Sequence, residues 1–275
     1  MNDMKLTFIG GGNMASSLIG GLVADNLDPG QIYVAEPIDG LRESLTARFG
    51  VHTTNNNLDA VSEADVVVLA VKPQQLKAVA EELASAIHAS GSLVVSVAAG
   101  VHSEVIENWL GGNVAVVRSM PNTPALVQSG ATALFANKHV TEDQRDRAES
   151  ILRAAGLTLW LEDESLMDAV TALSGSGPAY FFRIMEAIES AGIDLGLPPE
   201  TSRLLTLQTA FGAAKMALES SEPAATLREQ VTSPGGTTEQ GLRVMEGHQI
   251  DNIFKEVLTA ARDRSEELAK ILSGS

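Results

Sequence analysis

The stretch Leu6-Thr-Phe-Ile-Gly-Gly-Gly-Asn-Met-Ala15 decides the fold, because it joins an apolar strand to a glycine turn and the start of a helix. Its residues Gly10, Gly12 and Ala15 fit the pattern G-x-G-x-x-A. The first glycine permits a tight turn, the second lets the backbone approach a pyrophosphate, and the small third residue lets the helix pack on the strand. A helix that begins near Asn13 offers free N–H groups and the positive end of its dipole to an anion.

The residues around this motif favour a dinucleotide-binding turn over the alternative, a glycine-rich turn in another kind of α/β protein. An apolar helix follows the turn, and a second strand, Ile32–Ala35, follows the helix. This strand ends at Glu36, 21 residues after Ala15. A carboxylate in that position holds the adenosine ribose hydroxyls of a dinucleotide. We therefore expect Glu36 to contact the cofactor.

The composition limits the partners of the chain. Its 275 residues suggest one large domain or two smaller ones, and 44% of them are hydrophobic, enough for a real core. Asp and Glu number 35 against 19 Lys and Arg, so the formal net charge is −16. Such a chain repels nucleic acid and anionic membrane surfaces, and we expect neither as a partner. An anionic cofactor would have to bind through local backbone donors.

Several kinds of site and segment are not expected from this sequence. There is no cysteine, which excludes disulfides, thiolate metal sites and cysteine nucleophiles and is consistent with a cytoplasmic location. The five histidines do not form a metal-binding pattern, and no G-x-S-x-G elbow of a serine hydrolase occurs. No signal peptide is expected, and the longest apolar run, Val66–Val71, is too short to span a bilayer.

Up to Leu161, segments typical of strands and helices alternate, which predicts a doubly wound, mostly parallel sheet of the Rossmann kind. The predicted strands are Lys5–Ile9, Ile32–Ala35, Val51–Thr53, Val66–Ala70, Leu93–Val97, Val114–Arg118, Ala131–Ala136 and Leu157–Leu161. The helices between them are predicted at Asp39–Phe49, Gln74–Ala89, Ser103–Leu110 and Thr141–Ala155, the last opening on a capping box.

The remainder of the chain carries helix patterns and almost no strand signal. The predicted helices are Leu166–Ala191 with an interruption at Ser174–Pro178, Pro198 to about Ser220, Leu227–Val231, Thr237–Glu246 and Ile250–Leu272. We expect two domains, a dinucleotide-binding domain over residues 1–162 and an all-α domain over residues 163–275. Many small residues on the helix faces allow close helix contacts, so this domain could form a bundle alone or complete one with a second chain. Of the two, we expect the homodimer.

Four segments carry the candidate chemistry. Three follow predicted strands, where ligands bind in open α/β sheets, and together they outline one crevice: Ala70–Pro73, Val97–Gly100 and Met120–Pro124. Each alone also fits a plain connection. The fourth, Ser233-Pro-Gly-Gly-Thr-Thr238, precedes a helix and combines two glycines with three hydroxyls. It suits a carboxylate, although a helix cap with a turn would look the same.

Five segments of the chain together resemble one family, pyrroline-5-carboxylate reductase. They are Ile9-Gly-Gly-Gly-Asn-Met-Ala15, Ala70-Val-Lys-Pro73, Met120-Pro-Asn-Thr-Pro124, Leu173-Ser-Gly-Ser-Gly-Pro-Ala-Tyr180 and Val231-Thr-Ser-Pro-Gly-Gly-Thr-Thr238. The resemblance covers nearly the whole chain in the right order, and its most specific part is Ser-Pro-Gly-Gly-x-Thr.

The resemblance implies a Rossmann domain and a helical domain that interlocks into a dimer, often within larger rings of dimers. It implies NADPH- or NADH-dependent reduction of 1-pyrroline-5-carboxylate to L-proline, the last step of proline biosynthesis. The residues then expected at the cofactor are Gly10, Gly11, Gly12, Asn13, Met14, Ala15, Glu36, Asn57, Ala70, Val71, Lys72, Pro73, Val97, Ala98, Ala99, Met120, Pro121, Asn122 and Gln230. Those expected at the substrate are Ser233, Gly235, Gly236, Thr237, Thr238 and Glu164, with the hydroxyl of Thr238 as the catalytic group facing the ring nitrogen.

The chemistry of imine reduction agrees with these residues. The imine carbon accepts a hydride and the nitrogen can be protonated beforehand, so a donor that positions the nitrogen suffices. Proximity and orientation can then supply about 7–11 kcal/mol. A β-hydroxyacid dehydrogenase, the nearest rival, needs a lysine in the helical domain, and Lys215 and Lys255 lie in ordinary amphipathic patterns. A dinucleotide-binding regulator without catalytic activity would not need the segment 233–238.

Glu36-Pro37 occupies the place where family members that favour NADPH often carry a small polar residue or an arginine. A carboxylate there binds ribose hydroxyls and repels a 2′-phosphate. We therefore expect NADH to be used at least as well as NADPH.

Overall fold

The structure is a computed structural model that describes residues 4–273. The chain divides into two compact units. The first, the sheet unit, consists of two segments, the chain up to Ser176 and the chain from Ala261 onward. The second, the helical unit, is Gly177–Ala260. The sequence-based boundary between residues 162 and 163 stays a prediction.

The sheet unit is built on one eight-stranded sheet with the order β3-β2-β1-β4-β5-β6-β7-β8. All neighbouring strands are parallel except β6 and β7, which pair antiparallel. The predicted mostly parallel, doubly wound sheet is therefore confirmed, and each strand end lies within two residues of its predicted position. The strands are β1 Leu6–Ile9, β2 Ile32–Ala35, β3 His52–Thr54, β4 Val66–Leu69, β5 Leu93–Ser96, β6 Val116–Met120, β7 Gly130–Ala136 and β8 Gly156–Trp160.

The strand order explains where a ligand can bind. The chain builds β1, β2 and β3 toward one edge, then returns to place β4 on the other side of β1. In such sheets a crevice opens at the carboxyl ends of the strands where the direction of winding changes. Here that point lies between β1 and β4, directly above the glycine turn.

Helices cover both faces of the sheet. Those of the sheet unit are α1 Asn13–Ala24, α2 Asp39–Phe49, α3 Asn57–Val61, α4 Pro73–Ser90, α5 Ser103–Trp109, α6 Glu142–Arg153 and α7 Met167–Val170. The short α3 was not predicted from the sequence, because it has only five residues and its start signal is one capping residue, Asn56. The capping box at Thr141 and Gln144 is confirmed at the start of α6.

The core lies on both faces of the sheet, which is why the central strands are apolar runs. Every residue of β4 and β5 is buried. One face packs against α1 and α6, through Leu18, Leu22, Ile151 and Leu152. The opposite face packs against α4 and α5, through Leu76, Leu83 and Ile106. The strands on either side of the glycine turn are therefore fixed by packing on both faces of the sheet.

The helical unit contains α8 Gly177–Asp194, α9 Pro199–Glu219, α10 Ala224–Gln230 and α11 Thr237–Gly247. The last helix, α12 Ile250–Ser273, belongs to this unit up to Ala260 and to the sheet unit from Ala261. The predicted interruption near Ser174 is a π-helical turn, Thr171–Gly175, just before the two units divide. Within residues 4–273, no helix is both long and apolar enough to cross a membrane.

Candidate active site

The glycine turn leaves the start of α1 open to a ligand. Gly10 has a φ of +98°, and a Cβ built on it would lie 2.7 Å from the carbonyl oxygen of Ala70, so only glycine fits. Gly12 is the N-cap of α1, and no described side chain caps this helix. A Cβ on Gly12 would meet no atom within 4 Å. The first N–H groups of α1, from Asn13 to Ala15, therefore face open space, the arrangement that binds a pyrophosphate.

Glu36 lies at the end of β2 with its carboxylate held by the glycine turn. The N–H of Gly11 donates to Oε2 over 2.8 Å, and the N–H of Ile38 donates to Oε1 over 3.0 Å. The residue is only 7% exposed. Each carboxylate oxygen can accept a further hydrogen bond, so the group keeps capacity for a ribose hydroxyl. The expected contact with the ribose stays a prediction, and the structure adds a second role in bracing the turn.

The loop after β4 adjoins the glycine turn, and the loop after β5 adjoins the end of β4, as the crevice requires. The N–H of Ala70 donates to Ile9 over 2.8 Å, and the N–H of Val97 donates to Leu69 over 3.2 Å. The start of α4 at Lys72 and Pro73 follows Val71 on the same edge. Beyond β5, the segment continues through Ala98, which is buried, and Ala99, which is half-buried.

Asn57 is the first residue of α3, directly after β3 on the same edge of the sheet. Its side-chain amide donates to Glu82 on α4 over 2.9 Å. The neighbouring Asn56 is the residue that caps α3, accepting from two backbone N–H groups. The expected cofactor contact of Asn57 therefore stays a prediction, from a side chain that already has a partner.

The loop after β6 is fixed by Asn122. Its side-chain oxygen accepts from the N–H of Ala131 over 2.9 Å, and its amide nitrogen lies 3.2 Å from the carbonyl oxygen of Ser174. Met120, the last residue of β6, lies against Gly175, where a Cβ would come within 2.4 Å of the methionine methyl group. Pro121, between them, is buried. The loop is thus joined to the π-helical turn, a kind of turn frequent at functional sites.

Glu164 lies at the centre of a buried polar cluster that the sequence did not predict. Its carboxylate accepts from the N–H and the hydroxyl of Ser103, both over 2.7 Å. Nη1 of Arg118 lies 3.0 Å from Oε1, and Nδ1 of His102 lies 3.6 Å from the same oxygen. Arg118 is only 2% exposed. The sequence feature that could have indicated the cluster is Arg118, the one charged residue in the strand β6.

The segment 233–238 forms a second open helix start, in the helical unit. Gly236 is the N-cap of α11, and no described side chain caps this helix. Gly235 has a φ of +72°, and its N–H donates to Oε2 of Glu239 over 2.8 Å. The side chains of Ser233, Thr237 and Thr238 are exposed. Gln230 ends α10 shortly before, also exposed.

Glu239 shapes this segment and was missed in the sequence. It accepts from Gly235 at the turn and, over 3.1 Å, from Arg243 one helical turn further on. Its position in the first turn of α11 is where an acidic residue is favoured. The backbone donors that follow Gly236 stay available for an anion.

The lysines that a β-hydroxyacid dehydrogenase would need have ordinary surroundings within the helical unit. Lys215 on α9 lies 3.7 Å from Glu219, and both side chains are mostly exposed. Lys255 on α12 is exposed as well. Among residues 4–273, no group of three or more His, Asp or Glu side chains is arranged to hold a metal ion.

Comparison with known proteins covers both halves of the chain. Residues 164–268 match the family model described as pyrroline-5-carboxylate reductase dimerisation. Residues 5–100 match the one described as NADP oxidoreductase, coenzyme F420-dependent. A pyrroline-5-carboxylate reductase of Pseudomonas aeruginosa is 48% identical over 272 residues, 99% of either chain. The reductase of Vibrio alginolyticus is 42% identical over 272 residues, 98% of this chain and 100% of that one.

Two solved structures are similar over nearly their whole length. One is a pyrroline-5-carboxylate reductase from Coxiella burnetii, with a TM-score of 0.94 and 49% identity, covering 97% of this chain and 99% of that one. The other is the pyrroline carboxylate reductase of Plasmodium falciparum with NADP bound. Its TM-score is 0.86 and its identity 29%, covering 98% of this chain and 99% of that one.

Proposed function

The chain belongs to the pyrroline-5-carboxylate reductase family, and we propose that it reduces 1-pyrroline-5-carboxylate to L-proline, the last step of proline biosynthesis, with NADPH or NADH. The observation that carries the proposal is the pair of uncapped helix starts, at Gly12 and at Gly236. The reaction brings together two anions, a dinucleotide and a carboxylate. Each helix start offers backbone donors for one of them, in a chain whose net charge is −16.

The sheet unit fits a dinucleotide. The N–H groups that follow Gly12 would hold the pyrophosphate, in the space that a side chain on Gly12 would fill. Glu36 would hold the ribose, and the loops after β3, β4, β5 and β6 would line the remainder of the crevice. When bound, the reduced nicotinamide supplies the hydride that the imine carbon accepts. The protein supplies orientation, because these loops rest on buried strands.

The segment 233–238 would hold the substrate. Backbone N–H groups beyond Gly236 and the hydroxyls of Ser233 and Thr237 suit its carboxylate. The hydroxyl of Thr238 would hold the ring nitrogen, which is protonated before reduction. Glu164 was also expected at the substrate, and this stays a prediction. Its contacts with Ser103 and Arg118 favour a role in holding the neighbouring loop.

The experiment that tests this function is a turnover assay with NADH and NADPH. Pyrroline-5-carboxylate would be compared with a panel of 2-keto and 3-hydroxy acids. We expect fast cofactor oxidation with the pyrroline alone. Activity confined to an acid would overturn the proposal. It would indicate a β-hydroxyacid dehydrogenase that uses Lys215 or Lys255. Cofactor binding without any turnover would indicate a regulator instead.

Thr238→Ala tests the catalytic group. Losing one hydrogen bond to a charged nitrogen should lower kcat by about ten- to one-hundred-fold while cofactor affinity stays unchanged. Thr238→Ser keeps the hydroxyl and should restore most of the turnover. Unchanged kcat in the alanine variant would exclude this role for Thr238.

Self-association follows from the family, since residues 164–268 match a dimerisation model. We propose a homodimer, or a ring of dimers. Large apolar side chains of the helical unit support this, because Phe181, Phe182 and Phe211 are each more than 60% exposed in the single chain. A cytoplasmic location and the absence of nucleic-acid and membrane partners stay predictions.

A further inference from the structure

The loop after β5, residues 97–102, is bound by residues that lie outside it. Within it, the N–H of Ala98 donates to the hydroxyl of Ser96 over 3.3 Å. His102 is the N-cap of α5, and its side chain makes no cap hydrogen bond. The N–H of Ser103 is instead bound by Glu164, 61 residues away in the chain. The shape of this loop therefore depends on a distant carboxylate.

The same carboxylate links the loop to β6. Oε1 accepts from Ser103 and from Arg118, and Oε2 accepts from the Ser103 hydroxyl. On the other side of the loop, Gly100 lies against α12, where a Cβ would be 3.4 Å from the Leu272 side chain. The loop is thus enclosed between Glu164 and the last helix. Both contacts lie within the sheet unit.

We propose that Glu164 is a positioning residue, which holds the loop 97–102 in the form that receives the cofactor and neutralises the buried Arg118. The inference rests on the proposed function, because it takes Val97–Ala99 as cofactor contacts. It assigns Glu164 a role other than substrate contact. Three donors already occupy its two oxygens, and two of them come from Ser103, the residue directly after this loop.

Charge supports the same assignment. Arg118 is 2% exposed, so its guanidinium has almost no contact with water. A buried cation requires an anion beside it, and Glu164 lies 3.0 Å away. Removing the negative charge would disturb β6 at the residue two positions before Met120, where the next expected cofactor loop begins. One side chain therefore controls two neighbouring loops of the crevice.

Glu164→Gln is the central variant, measured first by cofactor binding to the intact protein without substrate. Displacing the loop should weaken NADH and NADPH binding by about ten-fold and lower kcat. The KM for pyrroline-5-carboxylate at saturating cofactor should stay within about two-fold. Ser103→Ala should change the same quantities in the same direction. The double variant should bind the cofactor no more weakly than Glu164→Gln alone, because both substitutions act on the same contact, the one between Ser103 and Glu164.

Glu107→Gln is the matched control. Glu107 lies on α5, the helix that Ser103 begins; its side chain is 14% exposed against 15% for Glu164, and it also accepts from three donors. Its partners, Asn113, Asn137 and His139, lie at the far end of the helix from the loop. We expect this variant to lower the unfolding midpoint with cofactor affinity unchanged.

The outcomes separate this inference from the proposed function. Wild-type protein that binds neither cofactor would overturn both. If the wild type binds and turns over, unchanged cofactor affinity in Glu164→Gln, or an equal loss in Glu107→Gln, would overturn the positioning role alone. So would a raised pyrroline KM with unchanged cofactor affinity, which indicates direct substrate contact. Should Glu164→Gln fail to fold, Ser103→Ala carries the same test.

Discussion

At the scale of single residues, Glu36 has a structural role, and we expect it also to select between NADH and NADPH. Its carboxylate accepts from the N–H of Gly11, which fixes the glycine turn, and from the N–H of Ile38. Arg42 lies beside it, with Nη1 2.6 Å from the Glu36 carbonyl oxygen and Nη2 paired with Asp39. With the ribose contact that we expect of Glu36, its negative charge would lie where a 2′-phosphate would have to bind. Arg42, the nearby cation, is already paired.

This arrangement predicts that Glu36→Gln raises the ratio of NADPH to NADH efficiency. Two like charges 4 Å apart repel by about 1 kcal/mol in water and about 4 kcal/mol at a protein surface, so removing one should raise the kcat/KM ratio by about ten-fold. Glutamine keeps a side-chain oxygen for Gly11, which limits damage to the turn. Measured kcat/KM values for both cofactors give the answer. A wild-type enzyme with a large preference for NADPH would contradict the role assigned to Glu36.

At the scale of elements, Glu149 fastens α6 to the edge strand β8. Nε1 of Trp160 donates to its carboxylate over 2.8 Å, Arg153 forms an ion pair with it, and Thr158 lies 3.4 Å away. The hydrogen bond from Trp160, followed by that from Arg153, holds the pKa of Glu149 below its ordinary value of 4.5. The ionised form is therefore favoured in the folded protein.

The hydrogen bond from Trp160 to Glu149 predicts a pH-dependent loss of stability in Trp160→Phe. A group whose folded pKa is lowered stabilises the protein above its unfolded pKa, and this stabilisation is lost as the pH falls through the folded value. The variant should lose about 1 kcal/mol at neutral pH and less in acid. Unfolding midpoints at pH 7 and in the acid range would measure this.

Trp109→Phe, the same replacement on α5, is the control and should lose stability without that pH dependence. A loss of equal size at both pH values in Trp160→Phe would contradict the link.

At the scale of the whole molecule, the helical unit leaves much of its apolar surface uncovered. Long side chains of α8 and α9, among them Phe182, Leu204, Leu205 and Phe211, are each more than half exposed. Exposed apolar side chains in such number are typical of a protein–protein interface. The match of residues 164–268 to a dimerisation model gives the same region the same role.

We therefore expect the protein to sediment as a dimer or a multiple of one, and Phe211→Glu to shift it toward the monomer. Buried aromatic residues dominate interface energetics, and truncating one often costs 2 kcal/mol or more, roughly thirty-fold in affinity. Gln208→Glu adds the same charge to α9 without removing an apolar side chain, and should have a smaller effect. Sedimentation velocity over a range of concentrations distinguishes these outcomes. A wild-type monomer throughout would refute the proposed dimer.

The sequence by itself determined the sheet, most of its helices and the family. Apolar runs such as β4 fix buried strands, and the glycine turn fixes the first crossover, because both depend on local periodicity and on the backbone angles that glycine alone adopts. The capping box at Thr141 is equally local. Such signals lie within a few residues of the structure they specify.

Only the tertiary structure decided the partners of the polar side chains. Glu36 meets Gly11 across 25 residues, Asn122 meets Ser174 across 52, and Glu164 meets Ser103 across 61. These contacts form because the strand order brings separate loops to one edge of the sheet. A buried carboxylate takes whichever donors lie beside it, and the spacing of residues along the chain does not specify them.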